Sequence, residues 1–239
     1  PILGKYRAPD FVPSSDTPSV RLAGRRELLQ ALGTASEHHE KAFEMLTSQQ
    51  VQGAFDLARE PVSIRERYGS NAWGQSALLA RRLVEAGVSF VTINHYEAEI
   101  DWWDDHTTLE KNLRRRLPIF DQALATLLED LDARGLSEQV LVVAMGEFGR
   151  NPQMNAGGGR DHWPGAFTAL LSGGGIRGGQ IIGSTSSDGG SVKDRPTSPG
   201  DLLATIYRVL GIDMEERLLD KQKRPIPLVE EGEPIRELF

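Results

Sequence analysis

Apolar residues recur at helical spacing in four parts of the chain, with polar residues at the intervening positions. The last part has the fullest set of end signals, because Ser198 and Pro199 suit the first turn of a helix and Gly211 suits its end. The third part contains Pro118, which predicts a kink or the start of a second helix. The pattern predicts helices within residues 20–55, 70–87, 109–131 and 198–211.

Short runs of β-branched and aromatic residues alternate with these helices. They predict strands at residues 88–93, 139–145, 167–171 and 180–182. Two of the helices lead into strands, and such alternation favours parallel strands joined through helices. We therefore predict an α/β fold with a mostly parallel sheet that helices cover on both faces. Residues 1–239 are expected to form a single domain, with an irregular lead-in at 1–19 and an irregular tail at 212–239.

The composition narrows the class of partner. With 27 basic and 34 acidic residues the net charge is −7, which disfavours binding to a nucleic-acid backbone. The absence of cysteine excludes disulfides and thiolate metal sites, and it fits either a reducing or an oxidising compartment. No apolar run approaches the roughly 18 residues that indicate a membrane span.

Acidic and histidine side chains follow two of the predicted strands. Glu147 comes directly after one strand, with His162 in the next loop, whereas Asp104 and His106 lie in the loop after another strand. Because ligands bind at the carboxyl ends of strands in open α/β sheets, we expect these four side chains to meet in a metal site. Mixed carboxylate and imidazole ligands favour one or two divalent ions, with zinc or manganese foremost.

Two arginines lie beside these residues. Arg150 and Arg160 are predicted to bind an anionic substrate group through paired hydrogen bonds. The glycine run Gly173–Gly178 has the spacing of a dinucleotide-binding motif, but the sequence after it continues as a strand and does not open a helix. We therefore interpret the run as a connection between strands, which weakens the hypothesis of an oxidoreductase.

The same residues have structural interpretations. Asp104 and its acidic neighbours could stabilise the helix that begins near Thr107, because negative charges interact favourably with the positive N-terminal end of a helix. Asp161 could stabilise a turn, with His162 packed beside Trp163. A non-catalytic binding or scaffold module is accordingly the alternative function, and the tryptophans beside the carboxylates would suit stacking on a sugar ring.

Five motifs in one order resemble the signature of a bacterial family of unknown function, DUF1501. They are Trp103–His106, Gly146–Arg150, Gly159–Pro164, Gly173–Gly179 and Asp194–Pro196. The resemblance extends from about Leu22 to the carboxyl end. It implies an alkaline phosphatase-like and sulfatase-like fold, in proteins that are usually exported behind a twin-arginine leader.

That resemblance also implies roles for particular residues. Asp104, His106 and His162 would be ligands of one metal ion, and Glu147 a ligand of a second, although Glu147-Phe148 stands where the phosphatases have Asp-His. The first strand and its nucleophile would lie upstream of Pro1, so this chain would be the carboxyl-terminal portion and would need the rest of the polypeptide. The implied activity is metal-dependent hydrolysis of phosphate or sulfate esters, on a small-molecule or glycan substrate.

Overall fold

Helices account for most of the first half of the chain. The computed structural model describes residues 19–94 and 103–239. Its first six helices are α1 Ser19–Ala31, α2 Glu37–Thr47, α3 Gln49–Phe55, α4 Val62–Tyr68, α5 Ala72–Glu85 and α6 Leu109–Ala133. All the helical regions predicted in this part are confirmed, although the first is divided into three helices. α6 is one helix that continues through Pro118.

The second half of the chain consists of short strands and one helix. Its elements are β1 Leu141–Met145, β2 Gly149–Arg150, β3 His162–Trp163, β4 Ala169–Gly173, β5 Ser184–Thr185, β6 Val192–Asp194, α7 Pro199–Val209, β7 Arg217–Leu219 and β8 Pro225–Pro227. Four two-stranded sheets form, by pairing of β1 with β4, β2 with β3, β5 with β6 and β7 with β8. Every pair is antiparallel.

The prediction of a parallel, helix-covered sheet is wrong, and with it the alkaline phosphatase-like fold. The predicted strands at 139–145 and 167–171 overlap β1 and β4, but these strands pair antiparallel, from Leu141 opposite Gly173 to Met145 opposite Ala169. Within the described residues, 88–93 and 180–182 are not strands. Strand-forming residues depend on neighbours to pack against, and Phe90 and Ile181 are 63% and 95% exposed.

The structure describes the expected irregular tail but almost none of the expected irregular lead-in. In the predicted irregular tail, β7 and β8 form a hairpin and Arg236–Leu238 form a turn of 3-10 helix. The expected lead-in lies outside the described residues, apart from Ser19 at the start of α1. None of the helices within the described residues is long and apolar enough to cross a membrane.

The chain divides into two compact units. The first comprises the described part of Pro1–Glu99 together with Arg115–Leu127. Tyr68 and Leu78 are completely buried in it, and the ring of Trp73 meets that of Phe120 edge-on at 6.3 Å. Apolar burial of this kind supplies most of the stability of a helical unit.

A buried ion pair accompanies this core. Arg81 is 1% exposed, and its Nη2 lies 2.9 Å from Oε2 of Glu60, which is itself 9% exposed. Arg82 also pairs with Glu60 and donates through Nε to the carbonyl oxygen of Ala54 at 2.8 Å. A buried carboxylate with two guanidinium partners avoids the cost of an isolated buried charge.

The second unit comprises the described part of Ile100–Arg114 together with Leu128–Phe239. Its helix α7 begins with a capping box, in which Ser198 Oγ accepts from the amide of Asp201 at 3.0 Å and Asp201 Oδ2 accepts from the amide of Ser198 at 2.8 Å. Buried apolar residues of this unit are Leu131, Leu202, Ala204, Ile235 and Leu238. The end of the chain is thus part of this core, and the predicted site residues all belong to the same unit.

Candidate metal-binding site

The hairpin of β2 and β3 brings an arginine and a histidine side by side. Arg150 lies directly opposite His162, and Gly149 lies opposite Trp163. Directly opposed residues of an antiparallel pair project from the same face. A Cβ on Gly149 would lie 2.0 Å from the carbonyl oxygen of Ala166, so only glycine allows this close approach.

Backbone contacts with residues 158 and 160 hold the segment that carries Asp104 and His106. Thr107 forms an isolated antiparallel bridge with Gly158, and the amide of Arg160 donates to the carbonyl oxygen of Asp105 at 2.9 Å. Asp105 is 4% exposed and accepts from Asn112 Nδ2 at 2.6 Å. The buried Asp105 therefore anchors the segment, and its neighbours Asp104 and His106 carry side chains that are about half exposed.

Three side chains converge on one carboxylate oxygen. Asp104 Oδ1 lies 2.8 Å from Nε2 of His162 and 3.1 Å from Nε2 of His106, and it also accepts from Nη1 of Arg150. The potential ligand atoms of Asp104, His106 and His162 all lie within 4.8 Å of one another. Their side chains are 43%, 44% and 48% exposed, so solvent and small solutes can reach them.

Hydrogen bonds and charges within the cluster shift the pKa values of two carboxyl groups and one imidazole. The hydrogen bond from Arg150, followed by that from His162, lowers the pKa of Asp104 to about 2. The hydrogen bond to Asp161 raises the pKa of His106, and the same bond, with one from Asn155, lowers the pKa of Asp161. Asp104 and Asp161 are therefore carboxylates at neutral pH, one on each side of the His106 ring.

Two imidazole nitrogens and a carboxylate oxygen that face one another suit a divalent metal ion. Catalytic zinc sites use two histidines and a carboxylate with one position left open, and the same set with more open positions holds non-haem iron. In the metal-free geometry Nε2 of His162 is hydrogen-bonded to Asp104 Oδ1, and Nε2 of His106 lies 3.1 Å from the same oxygen. An ion would take the place of any proton on these nitrogens, because histidine must present a lone pair to a metal.

The other predicted site residues lie at the margin of this cluster. Glu147 is exposed, and its Oε1 is 3.5 Å from Nη2 of Arg150. Arg160 donates through Nη1 to the carbonyl oxygens of Asn151, at 2.6 Å, and Pro152. Metal binding by Glu147 and substrate binding by Arg160 stay predictions, whereas three of the four predicted ligands are brought together. Trp102 lies outside the described residues.

Sequence reasoning assigned no site role to three residues that contact the cluster. Asp161 Oδ1 is 2.9 Å from His106 Nδ1, and Asn155 donates to the same oxygen at 3.1 Å. The ring of Phe148 lies 4.5 Å from that of His162 and 5.5 Å from the guanidinium carbon of Arg150. Asn155 precedes Gly157–Gly159, and an asparagine before glycines is a signal for a tight turn that could have been recognised.

The chain matches a known protein family. The model of a family described as "Protein of unknown function (DUF1501)" matches residues 15–239. No curated protein matches the chain, and no solved structure matches it.

Proposed function

Since the chain belongs to the DUF1501 family, we propose a function from the geometry of its polar cluster: it binds a divalent metal ion and hydrolyses phosphate or sulfate esters. The observation that carries this proposal is the convergence of one atom each from Asp104, His106 and His162 within 4.8 Å. Each of these side chains is about half exposed, as an ion that must meet a substrate requires.

Zinc is the ion that we expect first, and manganese second. Two imidazole nitrogens with a single carboxylate favour zinc, whereas a site for magnesium or calcium would use oxygen ligands almost alone. The second ion that the sequence predicts at Glu147 would have a weaker ligand set, because Glu147 is exposed and its carboxylate contacts Arg150.

A bound ion would supply Lewis-acid polarisation of an ester oxygen and a more acidic water. The protein's own residues supply orientation and charge. Arg150 is a planar hydrogen-bond donor next to the ligands, 22% exposed, and it can turn part of its guanidinium toward an anionic ester group. A small-molecule or glycan ester is therefore the proposed substrate, and export of the protein stays a prediction.

The second candidate function is a non-catalytic module, and one observation favours it. The carboxylate of Asp104 already has hydrogen-bond partners in Arg150 and His162, so the cluster can join its loops without an ion. In that case His162 would contribute to stability and not to metal affinity.

Calorimetric titration with zinc and with manganese tests the metal site that the hydrolase requires. We expect one tight metal site in the wild-type protein and loss of most of the metal binding in His162→Ala. His38→Ala is the matched control, because His38 is an exposed histidine of α2 outside the cluster. Absence of binding in the wild type, or equal binding in His162→Ala, would exclude the metal site.

Activity is tested on a panel of aryl phosphates and aryl sulfates with the metal-loaded protein. Turnover that disappears with a chelator and returns with zinc supports the hydrolase. Arg150→Lys should raise KM for the anionic ester more than it lowers kcat, because lysine keeps the charge but loses the paired donors. Metal binding without any turnover would favour the non-catalytic module.

A further inference from the structure

We propose that Asp161 and Asn155 position His106 for metal binding. Asp161 contacts the ring nitrogen that does not face the proposed ion, and Asn155 contacts Asp161. This inference rests on the proposed metal site and adds to it two residues that do not touch the ion. The three residues lie in two segments, 103–109 and 155–161, that meet through backbone hydrogen bonds.

Asp161 determines which nitrogen of His106 faces the site. The Nδ1 atom of His106 lies 2.9 Å from Asp161 Oδ1, on the side of the ring opposite to Asp104. A carboxylate can only accept, so this hydrogen bond requires the proton on Nδ1. Nε2 then serves as the metal ligand once an ion takes the place of any proton between Nε2 and Asp104. Histidine ligands are commonly held in this way, by a carboxylate that fixes the tautomer and makes the ligand more basic.

Asn155 holds both partners in that geometry. Its Nδ2 donates to Asp161 Oδ1 at 3.1 Å and to the carbonyl oxygen of His106 at 3.0 Å. Its Oδ1 accepts from the amides of Gly157 at 3.0 Å and Gly159 at 3.1 Å. One side chain therefore uses both of its donors and its acceptor to fix the turn, the carboxylate and the ligand's backbone relative to one another.

The Asp161 side chain is exposed but held in place by hydrogen bonds. It is 55% exposed, yet its Oδ1 is hydrogen-bonded to Nδ1 of His106 and accepts from Nδ2 of Asn155. An exposed carboxylate without such contacts would be free to rotate into water. The pair of bonds holds Asp161 toward His106 instead.

Zinc affinity of the metal-free wild-type protein and of three variants tests this arrangement. We expect Asp161→Ala and Asn155→Ala to weaken zinc binding about 10-fold to 100-fold, as loss of a supporting partner typically does. Asp161→Asn, which keeps an oxygen acceptor, should lose less. Asp220→Ala is the matched control, since Asp220 accepts from two backbone amides in the β7–β8 turn and should leave zinc affinity unchanged.

A second measurement reads the position of the proton directly. Long-range proton–nitrogen NMR spectra of the imidazoles should show His106 protonated at Nδ1 in the zinc-loaded wild type. In the metal-free protein at high pH, neutral His106 should keep the Nδ1 proton, and Asp161→Ala should shift it toward Nε2. Circular dichroism confirms that each variant is folded.

The outcomes separate the two proposals. If the wild type binds no zinc, the proposed function fails, and the NMR spectra of the metal-free protein still decide whether Asp161 holds the tautomer. If the wild type binds zinc and the folded Asp161→Ala variant binds it equally well with an unchanged tautomer, the metal site stands and the positioning role is overturned.

Discussion

Substitution of Gly159 by alanine should damage the fold and the proposed metal site together. A Cβ at this position would lie 2.0 Å from the carbonyl carbon of His106, 2.2 Å from its oxygen and 2.3 Å from the amide nitrogen of Thr107. All three are backbone atoms, so no side chain can rotate away to make room. The segment that carries His106 must therefore move, or the loop of Gly159 must.

The size of that movement sets the expected cost. Real Cβ atoms stay at least 3.0 Å from such neighbours, so the two segments must separate by about 1 Å, which is 3.0 minus 2.0. Three backbone hydrogen bonds join them, from Arg160 to Asp105 at 2.9 Å, from Thr108 to Gly157 at 3.2 Å and from Leu109 to Gly158 at 3.0 Å. A lengthening of about 1 Å takes each beyond bonding range. At about 1 kcal/mol per bond, the loss of stability is about 2–4 kcal/mol.

Urea unfolding followed by tryptophan fluorescence measures the stability, and zinc titration measures the site. Gly159→Ala should also weaken zinc binding by about tenfold or more, because His106 moves with its backbone. Gly158→Ala is the informative control: φ is +71° there and no atom lies within 4 Å of the added Cβ. It should cost about 1–2 kcal/mol of backbone strain and leave zinc affinity unchanged.

Gly178→Ala provides the baseline, because a Cβ there meets nothing within 4 Å and φ is not positive. Wild-type stability and wild-type zinc affinity in Gly159→Ala would refute the close approach of the two segments. Equal loss of zinc affinity in Gly158→Ala would refute the assignment of the effect to displacement of His106.

Three further predictions concern stability. Ser198→Ala should cost about 1 kcal/mol in urea unfolding, since it removes the acceptor for the Asp201 amide at the start of α7, and an unchanged midpoint would contradict the capping box. Leu78→Ala should cost about 2–5 kcal/mol, because Leu78 is completely buried; a smaller loss would mean that the surrounding helices collapse onto the cavity. Hydrogen bonds from Arg195 lower the pKa of Glu237 to about 2, so the pair stabilises the fold above the usual glutamate pKa of 4.5 and loses this effect as the pH falls toward 2. The melting temperature of Glu237→Gln should therefore lie below that of the wild type near pH 7 and approach it at low pH, and a constant difference would contradict the ion pair.

Helix prediction succeeded where the chain carries its own end signals. Asn71 accepts from the amide of Gly74 at 2.9 Å at the start of α5, and Ser198 acts in the same way at α7. These bonds join residues three positions apart, so the sequence contains both partners within one turn. Pro118 does not start a second helix, and α6 continues through it because the tertiary surroundings of a long helix can outweigh one lost bond.

Strand-forming residues were recognised in part, but the pairing of the strands was predicted wrongly. Most residues of β1 and β4 were predicted to be strands, but the residues of a strand do not indicate whether the neighbouring strand is parallel or antiparallel. Phe90 and Ile181 belong to runs with the same composition and remain exposed. β-propensity reflects packing on a neighbouring strand, and a strand's partner is not a local property of the sequence.

The convergence of Asp104, His106 and His162 does not depend on the parallel sheet that first suggested it. The prediction placed these residues at one edge of that sheet, which is absent from the described residues. They meet instead through two local contacts, the β2–β3 hairpin and the bridge between Thr107 and Gly158. Each contact passes a glycine where a Cβ would lie 2.0 Å from a backbone atom, at Gly149 and at Gly159. Glycine at these two positions thus has a steric role beside the acidic and histidine residues. A side chain at either position would prevent the close contacts that bring the ligands together.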